Sequence, residues 1–403
     1  MKLPDGGGFI LDDELSAYLR QAYSGPIYVY HPEIALRRIA LLRRHVAAAV
    51  SLLFSVKANP NPSLLGHLAA ALDGFECASV GELRALWESG LSQEYFCILT
   101  HPGKTVDLIS EALRLGADAI NIESEEELDY ADYVGRQRGL PVPAYLRINC
   151  AQRGESEYGE IMAALPSQFG IDEERIALID TSSRQGVDVC GLHFYFGSEV
   201  ASGTAVCANI RIAFEVARMA SLRSQARSMR VDIGLGLPVP YTLDDVFPDL
   251  AVVGSELASQ MSRFPEIHVE LELGRYLVAD CGIYIVRIVG IKASRGKSFI
   301  ITDGGIQHFA RFALIRRNHT VMIVDPASKY PECHTGPYCV VGHSCTPLDI
   351  LADNVFLHRI PQIGDYLAVL CTGAYGKTLG FTSFLTHPPA RELIRFGSHF
   401  EFS

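Results

Sequence analysis

Lys57 closes an apolar run, Leu52-Leu53-Phe54-Ser55-Val56-Lys57, and is followed by Ala58-Asn59. A single lysine in that place is usually a side chain that snorkels to solvent, yet a strand-end ε-amine is also the group that forms an imine with an aldehyde. Its companions decide between the two readings. Glu272, at the end of another apolar run, can keep a ring nitrogen protonated, while Gly234, Gly236, Gly274, Ser198 and Arg275 offer backbone, hydroxyl and guanidinium donors to a phosphate. Lysine, acid and anion cradle are together what a phosphorylated pyridine aldehyde, pyridoxal 5'-phosphate, requires of a protein. Each glycine taken alone is a turn residue.

Chemistry of this kind needs elements that bring distant residues to one place. From residue 52 on, short apolar runs (52–57, 75–78, 96–100, 119–123, 144–149, 189–196, 230–235 and 267–273) alternate with amphipathic stretches (81–88, 104–115, 125–137 and 204–222). Alternating β and α segments predict a parallel sheet, and this count predicts an α/β fold of the (β/α)8 TIM-type barrel class. In such a barrel the functional residues gather at the C-terminal ends of the strands. That rule selects Lys57, Glu76, Arg147, Tyr195 to Ser198, Gly234 to Gly236 and Glu272 to Arg275. After Arg275 the runs 283–292, 298–302, 320–324, 338–341, 355–360 and 366–371 have no helix of useful length between them, which predicts an all-β domain. The expected division is a barrel over 26–275, its first strand near 26–31, with 1–25 and 276–403 forming a β-sandwich or β-barrel domain.

A formal charge of −11 argues against a nucleic-acid partner, and the basic group Arg37, Arg38, Arg43, Arg44 reads as a solvated helix face. Ten cysteines, several inside apolar runs, suit reduced thiols. With no hydrophobic signal region at the N-terminus and no run of about 18 apolar residues, the expectation is a cytoplasmic protein without a membrane partner. Three decoys fail on spacing. His101-Pro-Gly-Lys104-Thr105 lacks the P-loop glycine, because Ile98 stands there, and Gly234-x-Gly236 lacks the third dinucleotide-binding glycine, because Val239 stands there. Cys333, His334, Cys339, His343 and Cys345 contain no CxxC or HxxxH pair, so no metal is expected.

Seven segments in order, FSVKANPNP around Lys57, GFECASVGEL at 74–83, GLHFYFGSE at 191–199, VDIGLG at 231–236, ELGR at 272–275, GHSCTPLD at 342–349 and GAYG at 373–376, carry a resemblance. The chain resembles the fold-type III pyridoxal-phosphate decarboxylases, the family of diaminopimelate and ornithine decarboxylases, whose barrel is alanine racemase-like. The resemblance implies that Lys57 forms the imine and Glu272 pairs with the ring nitrogen. It also implies that Arg147 lies near the ring hydroxyl, that Tyr195 stacks on the ring, and that Ser198, Gly236, Arg275 and Tyr375 hold phosphate. It further implies a head-to-tail homodimer in which Cys345 completes the neighbouring subunit's site, and Cys345 or Lys57 returns a proton to Cα after carbon dioxide leaves.

Three positions depart from the family pattern. Tyr195 stands where histidine is usual, Leu235 interrupts a turn that is typically three glycines, and Thr346 follows Cys345 where amine-recognising members carry an acid. An ammonium opposite a threonine would be poorly paired, at a cost of several kcal/mol, so a substrate without a cationic far end is expected. GHSCTPLDIL and the tail at 373–389 are similar to the subgroup that serves citrate-based siderophore biosynthesis, which implies citryl conjugates of diaminopropionate or serine as substrates. Thr346 and Asp349 are then expected at the substrate, and Arg316 and Lys377, with Arg311, Arg317 and His319, near citrate carboxylates. The alternatives are a decarboxylase of free diaminopimelate or a basic amino acid, opposed by Thr346; a racemase, opposed by Glu272 because racemases use arginine there; and a non-catalytic relative, opposed by the presence of both Lys57 and Cys345.

Overall fold

The computed structural model describes residues 11–152, 163–200, 202–224, 229–242, 245, 248–325 and 335–402. The chain divides into two compact units, one of 39–238 and 247–276, the other of 1–38, 239–246 and 277–403.

The first unit is the expected barrel. Its strands are Ser51–Ser55, Gly74–Cys77, Phe96–Leu99, Ala119–Ile122, Val142–Asn149, Val187–Tyr195, Met229–Gly234 and Ile267–Leu273, each paired in parallel with its neighbours. The pairs Ile120 with Ala144, and Leu271 with Leu52, continue the ladder through the fourth–fifth and eighth–first strands, so the sheet closes without an edge. A two-residue strand, Ile171–Asp172, adds to the Val142–Asn149 strand. Leu53, Ile98, Ala119 and Tyr145 form one buried cluster of this unit, as continuous apolar strands between sheet and helices should. Capping fixes where the helices begin. Ser79, Thr105 and Ser124 each accept from the amide three residues on, at 3.1, 3.3 and 3.1 Å, so the loops preceding these helices are held at their C-terminal ends.

The second unit is built on nine strands of mixed direction. Its main path runs Ile350–Leu357, Thr335–Val341, Lys297–Thr302, Gly282–Ser294, Ile27–Tyr30, Arg391–Phe396 and His399–Phe402, with Val321–Ile323 and Tyr366–Val369 joined beside Gly282–Ser294. The expectation that the barrel begins near residue 26 is corrected here. Ile27–Tyr30 pairs antiparallel with Tyr284 and its neighbours and parallel with Arg391–Phe396, and all four residues are buried. A short strand covered on both faces reads the same in a barrel and in the middle of a mixed sheet. The helix Asp13–Ala22 also belongs to this unit, packing Leu15 and Leu19 against Val29, Ile283, Ile285 and Leu393. The segment 239–246 lies with it as well, where the Thr320 amide donates to the Tyr241 carbonyl at 2.8 Å. Arg38 is not on a solvated face: it is 3% exposed and ion-paired to Asp280. No helix among the described residues is long and apolar enough to cross a membrane.

Candidate active site

The residues selected from the sequence lie at the ends of six barrel strands. Ser55 ends the first strand, and a short 3-10 turn, Val56–Ala58, carries Lys57 beyond it. The Lys57 side chain is 37% exposed, while its partner Glu76, on the next strand, is fully buried. Nζ donates to both Glu76 oxygens, at 3.0 and 2.9 Å. Burial pushes the Glu76 carboxyl up, Lys57 opposes that and Glu272 adds to it.

Glu272 is 5% exposed. Its Oε2 lies 3.2 Å from His193 Nε2, and the carboxylate also shares a hydrogen bond with the neighbouring Asp232. Burial acts to raise this carboxyl, but His193, followed by Lys57, outweighs it and holds the group at about 2. Asp232 goes the other way: burial first, then the carboxylates Glu272, Glu270 and Glu76, push it well above the usual range. The two neighbouring acids are driven in opposite directions, Glu272 toward the ionised form and Asp232 toward the protonated one, with a hydrogen bond between them. His193, Asp232 and Glu272 bring one ligand atom each within 4.8 Å of one another.

Arg147 is buried, donates to Glu123 Oε1 at 3.1 Å and lies 4.7 Å over the Phe169 ring. Ser198 is buried in the loop after the Val187–Tyr195 strand, where Gly197 has φ +149°. That loop meets the one after Met229–Gly234: the Val200 amide donates to the Gly236 carbonyl at 2.9 Å. Gly236 has φ +60°, and a Cβ there would stand 2.1 Å from the Gly197 carbonyl oxygen. Gly234 is needed for a different reason, since a Cβ on it would meet the Tyr195 ring at 2.1 Å. Gly274 packs against Ser55 and Ala58, and Arg275 opens the short helix Arg275–Val278.

The other candidates belong to the mixed-sheet unit. Cys345 is exposed and Thr346 half-buried. Asp349 departs from its expected role at the substrate. It is 3% exposed, and its carboxylate accepts from the amides of Ile306 and Ser344, both at 2.8 Å, so it shapes the loop that carries Cys345 and Thr346. Tyr375 has φ +57°, a conformation that costs a bulky residue of order 1–3 kcal/mol and that tends to mark functional turns. Lys377 is ion-paired with Glu392. Arg311 and Arg317 lie 4.1 and 5.2 Å over the Tyr241 ring, so they and His319, at 4.5 Å from that ring, form a cage around an aromatic rather than an open anion site. Arg316 is exposed, at φ +54°. Of the cysteine and histidine decoys, Cys333 and His334 lie outside the described residues.

Residues 35–279 match the family described as pyridoxal-dependent decarboxylase, pyridoxal binding domain. The chain belongs to this family. Its cofactor is pyridoxal 5'-phosphate and its reaction class is amino-acid decarboxylation. The decarboxylase is 27% identical to L-glutamyl-[BtrI acyl-carrier protein] decarboxylase of Niallia circulans, with 97% of this chain and 93% of that protein covered. It is 29% identical to diaminopimelate decarboxylase of Vibrio cholerae, with 95% and 90% covered. Among solved structures, Helicobacter pylori diaminopimelate decarboxylase in complex with L-lysine aligns with a TM-score of 0.85 at 22% identity, covering 96% of this chain and 95% of that one. The decarboxylase barrel also fits its cofactor by its donor set, because the strands that carry Lys57 and Glu272 are paired and the Lys57 charge helps to hold the buried Glu272 carboxylate ionised.

Sequence reasoning missed His193, Asp232, Glu123 and Lys104. His193 was findable, standing two positions before Tyr195 on the same face of the Val187–Tyr195 strand. Glu123 ends a strand as Lys57 and Glu272 do, so the same rule reaches it.

Proposed function

We propose that this decarboxylase acts on an α-amino acid whose far end is not a free ammonium, a conjugate in which an amide, ester or thioester stands in its place. Thr346, at the position where amine-recognising members carry an acid, supports this substrate class. So does the substrate named for the Niallia relative, a glutamyl group tethered to a carrier protein. Citryl-diaminopropionate and citryl-serine are the candidates that the tail motifs add.

The buried, ionised Glu272 within electrostatic reach of Lys57 carries the assignment of the site. Ionised at about 2, Glu272 keeps a proton on a ring nitrogen placed against it. Bound at Lys57, pyridoxal phosphate supplies the sink for the electrons left on Cα when carbon dioxide departs. Glu76 holds the Lys57 ammonium and takes up a proton when Nζ must act as a neutral nucleophile. Arg147 faces the ring hydroxyl, Tyr195 covers the ring, and Ser198, Gly234, Gly236, Gly274, Arg275 and Tyr375 hold the phosphate. Cys345 Sγ, exposed on the loop that Asp349 shapes, or Lys57 Nζ returns the proton to Cα. We assign Cys345 to the site of a second copy, which makes the working enzyme a homodimer.

Carbon dioxide release tests the proposal. Citryl-diaminopropionate, citryl-serine and a carrier-bound glutamyl thioester are compared with free diaminopimelate, ornithine, lysine and arginine. Turnover of one conjugate is expected, with Lys57→Ala abolishing both release and the yellow colour. Exclusive turnover of a free diamino acid overturns the substrate class. Loss of the α-proton without carbon dioxide points to racemisation, and bound cofactor with neither reaction points to the non-catalytic alternative.

A further inference from the structure

Lys104 lies in the loop after the Phe96–Leu99 strand and is 1% exposed. A lysine that deep costs several kcal/mol unless it is paired and hydrogen-bonded. Its ammonium meets Glu127 Oε2 at 2.8 Å and donates to the His101 carbonyl, while its amide donates to Glu127 Oε1 at 3.0 Å. Glu127 sits in the first turn of the helix Glu125–Arg138, fixed by the Ser124 cap. The same Oε2 accepts from the Glu123 amide at 2.8 Å. Glu123 in turn divides its carboxylate between Arg147, at 3.1 Å, and the Gly170 amide, at 3.0 Å. Three adjacent strand ends are thereby linked by two ion pairs, Lys104 with Glu127 and Arg147 with Glu123, joined through the Glu123 amide.

We propose that Lys104 is a positioning residue for the cofactor: through Glu127 and Glu123 it fixes the guanidinium of Arg147 in the barrel mouth. This rests on the reading of Arg147 as a cofactor contact. Without the ammonium, Glu127 is a buried carboxylate with its counter-charge removed, free to turn outward toward water. That turn releases the Glu123 amide and with it the carboxylate that orients Arg147. Burial lowers the Lys104 pKa against the pull of Glu127 and Glu123, which marks the site as water-poor.

A double-mutant cycle on cofactor binding tests this. Dissociation constants for pyridoxal phosphate, and the absorption band of the bound form, are measured for the wild type, Lys104→Met, Arg147→Met and the double variant. Lys104→Met is expected to weaken cofactor binding on the order of tenfold, the size outer-shell partners have at metal sites. The double variant is expected to bind no more weakly than Arg147→Met alone, the mark of residues acting through one another. Lys104→Arg should recover most of the affinity. A purely structural lysine would lower the melting temperature and leave the dissociation constant and absorption band unmoved, and that result, or fully additive losses, overturns the proposal. If Arg147→Met binds the cofactor normally, it is the reading of Arg147 that fails, and the role of Lys104 goes with it. Should Lys104→Met not fold, Lys104→Gln makes the same test, since it keeps a hydrogen-bond donor for Glu127 and removes the charge.

Discussion

Glu272→Gln removes one negative charge from the barrel mouth and keeps side-chain length and an oxygen acceptor. With its carboxyl held at about 2, Glu272 is fully ionised at neutral pH. His193 and Asp232 hydrogen-bond to this carboxylate and leave it its charge, so one full charge-assisted hydrogen bond to the ring nitrogen is at stake. Such a bond contributes about 1.5–3 kcal/mol net, against about 1 kcal/mol for a neutral one. An amide cannot hold the ring proton, so the neutral bond does not replace the charged one and the whole amount is lost. At about 1.4 kcal/mol per decade, kcat should fall roughly ten- to hundredfold. The assay is carbon dioxide release at saturating cofactor, with the cofactor dissociation constant and melting temperature measured on the same preparations. The fold should survive, because the amide can still meet His193. A variant that binds cofactor fully and keeps kcat within about threefold of wild type refutes the role given to Glu272.

Gly234→Ala should destabilise the protein by about 1–3 kcal/mol through overpacking against Tyr195, and combining it with Tyr195→Ala should recover part of that; chemical denaturation that shows no coupling between the two excludes the contact. Glu82 is raised to about 7, chiefly by burial. Between its unfolded value near 4.5 and 7 the folded state binds the extra proton, so stability falls as pH rises through this window; Glu82→Gln should therefore gain about 2 kcal/mol relative to wild type between pH 5 and pH 8, and parallel pH profiles would contradict this. Mixing inactive Lys57→Ala and Cys345→Ala subunits should restore about a quarter of wild-type activity, since half of the random dimers hold one intact site of two; no recovery after proven subunit exchange removes Cys345 from the shared site.

The barrel was legible because its signals are local. Apolar runs at regular spacing set the strands, capping residues such as Ser79 and Ser124 set the helices, and the strand-end rule then reached Lys57, Glu76, Arg147 and Glu272. Two features were illegible for different reasons. Ile27–Tyr30 is a short strand buried on every residue, and nothing in four such residues says which sheet takes them. Buried charges are harder still. Arg38 meets Asp280 from 242 positions away, and Lys104 meets Glu127 across a whole βα unit, so composition presents them as surface charges until the strand order brings their partners beside them. Asp349 shows the converse error, a motif residue credited to the substrate whose carboxylate is spent on two backbone amides.

The departures at Tyr195 and Leu235 are better understood as packing than as damage to the site. In sequence they look like two separate losses, a histidine and a glycine. In the structure Tyr195 lies so close to Gly234 that this glycine cannot carry a Cβ, and Leu235 beside it is 1% exposed, turned into the protein rather than toward an anion. On the proposed assignment the phosphate would be held by Gly236, whose left-handed backbone is fixed by Val200 and crowded by Gly197, and by the buried Ser198 on the facing loop. Tyr195 would then put an uncharged aromatic over the ring in place of an imidazole, and the electron sink would depend all the more on the ionised carboxylate at Glu272.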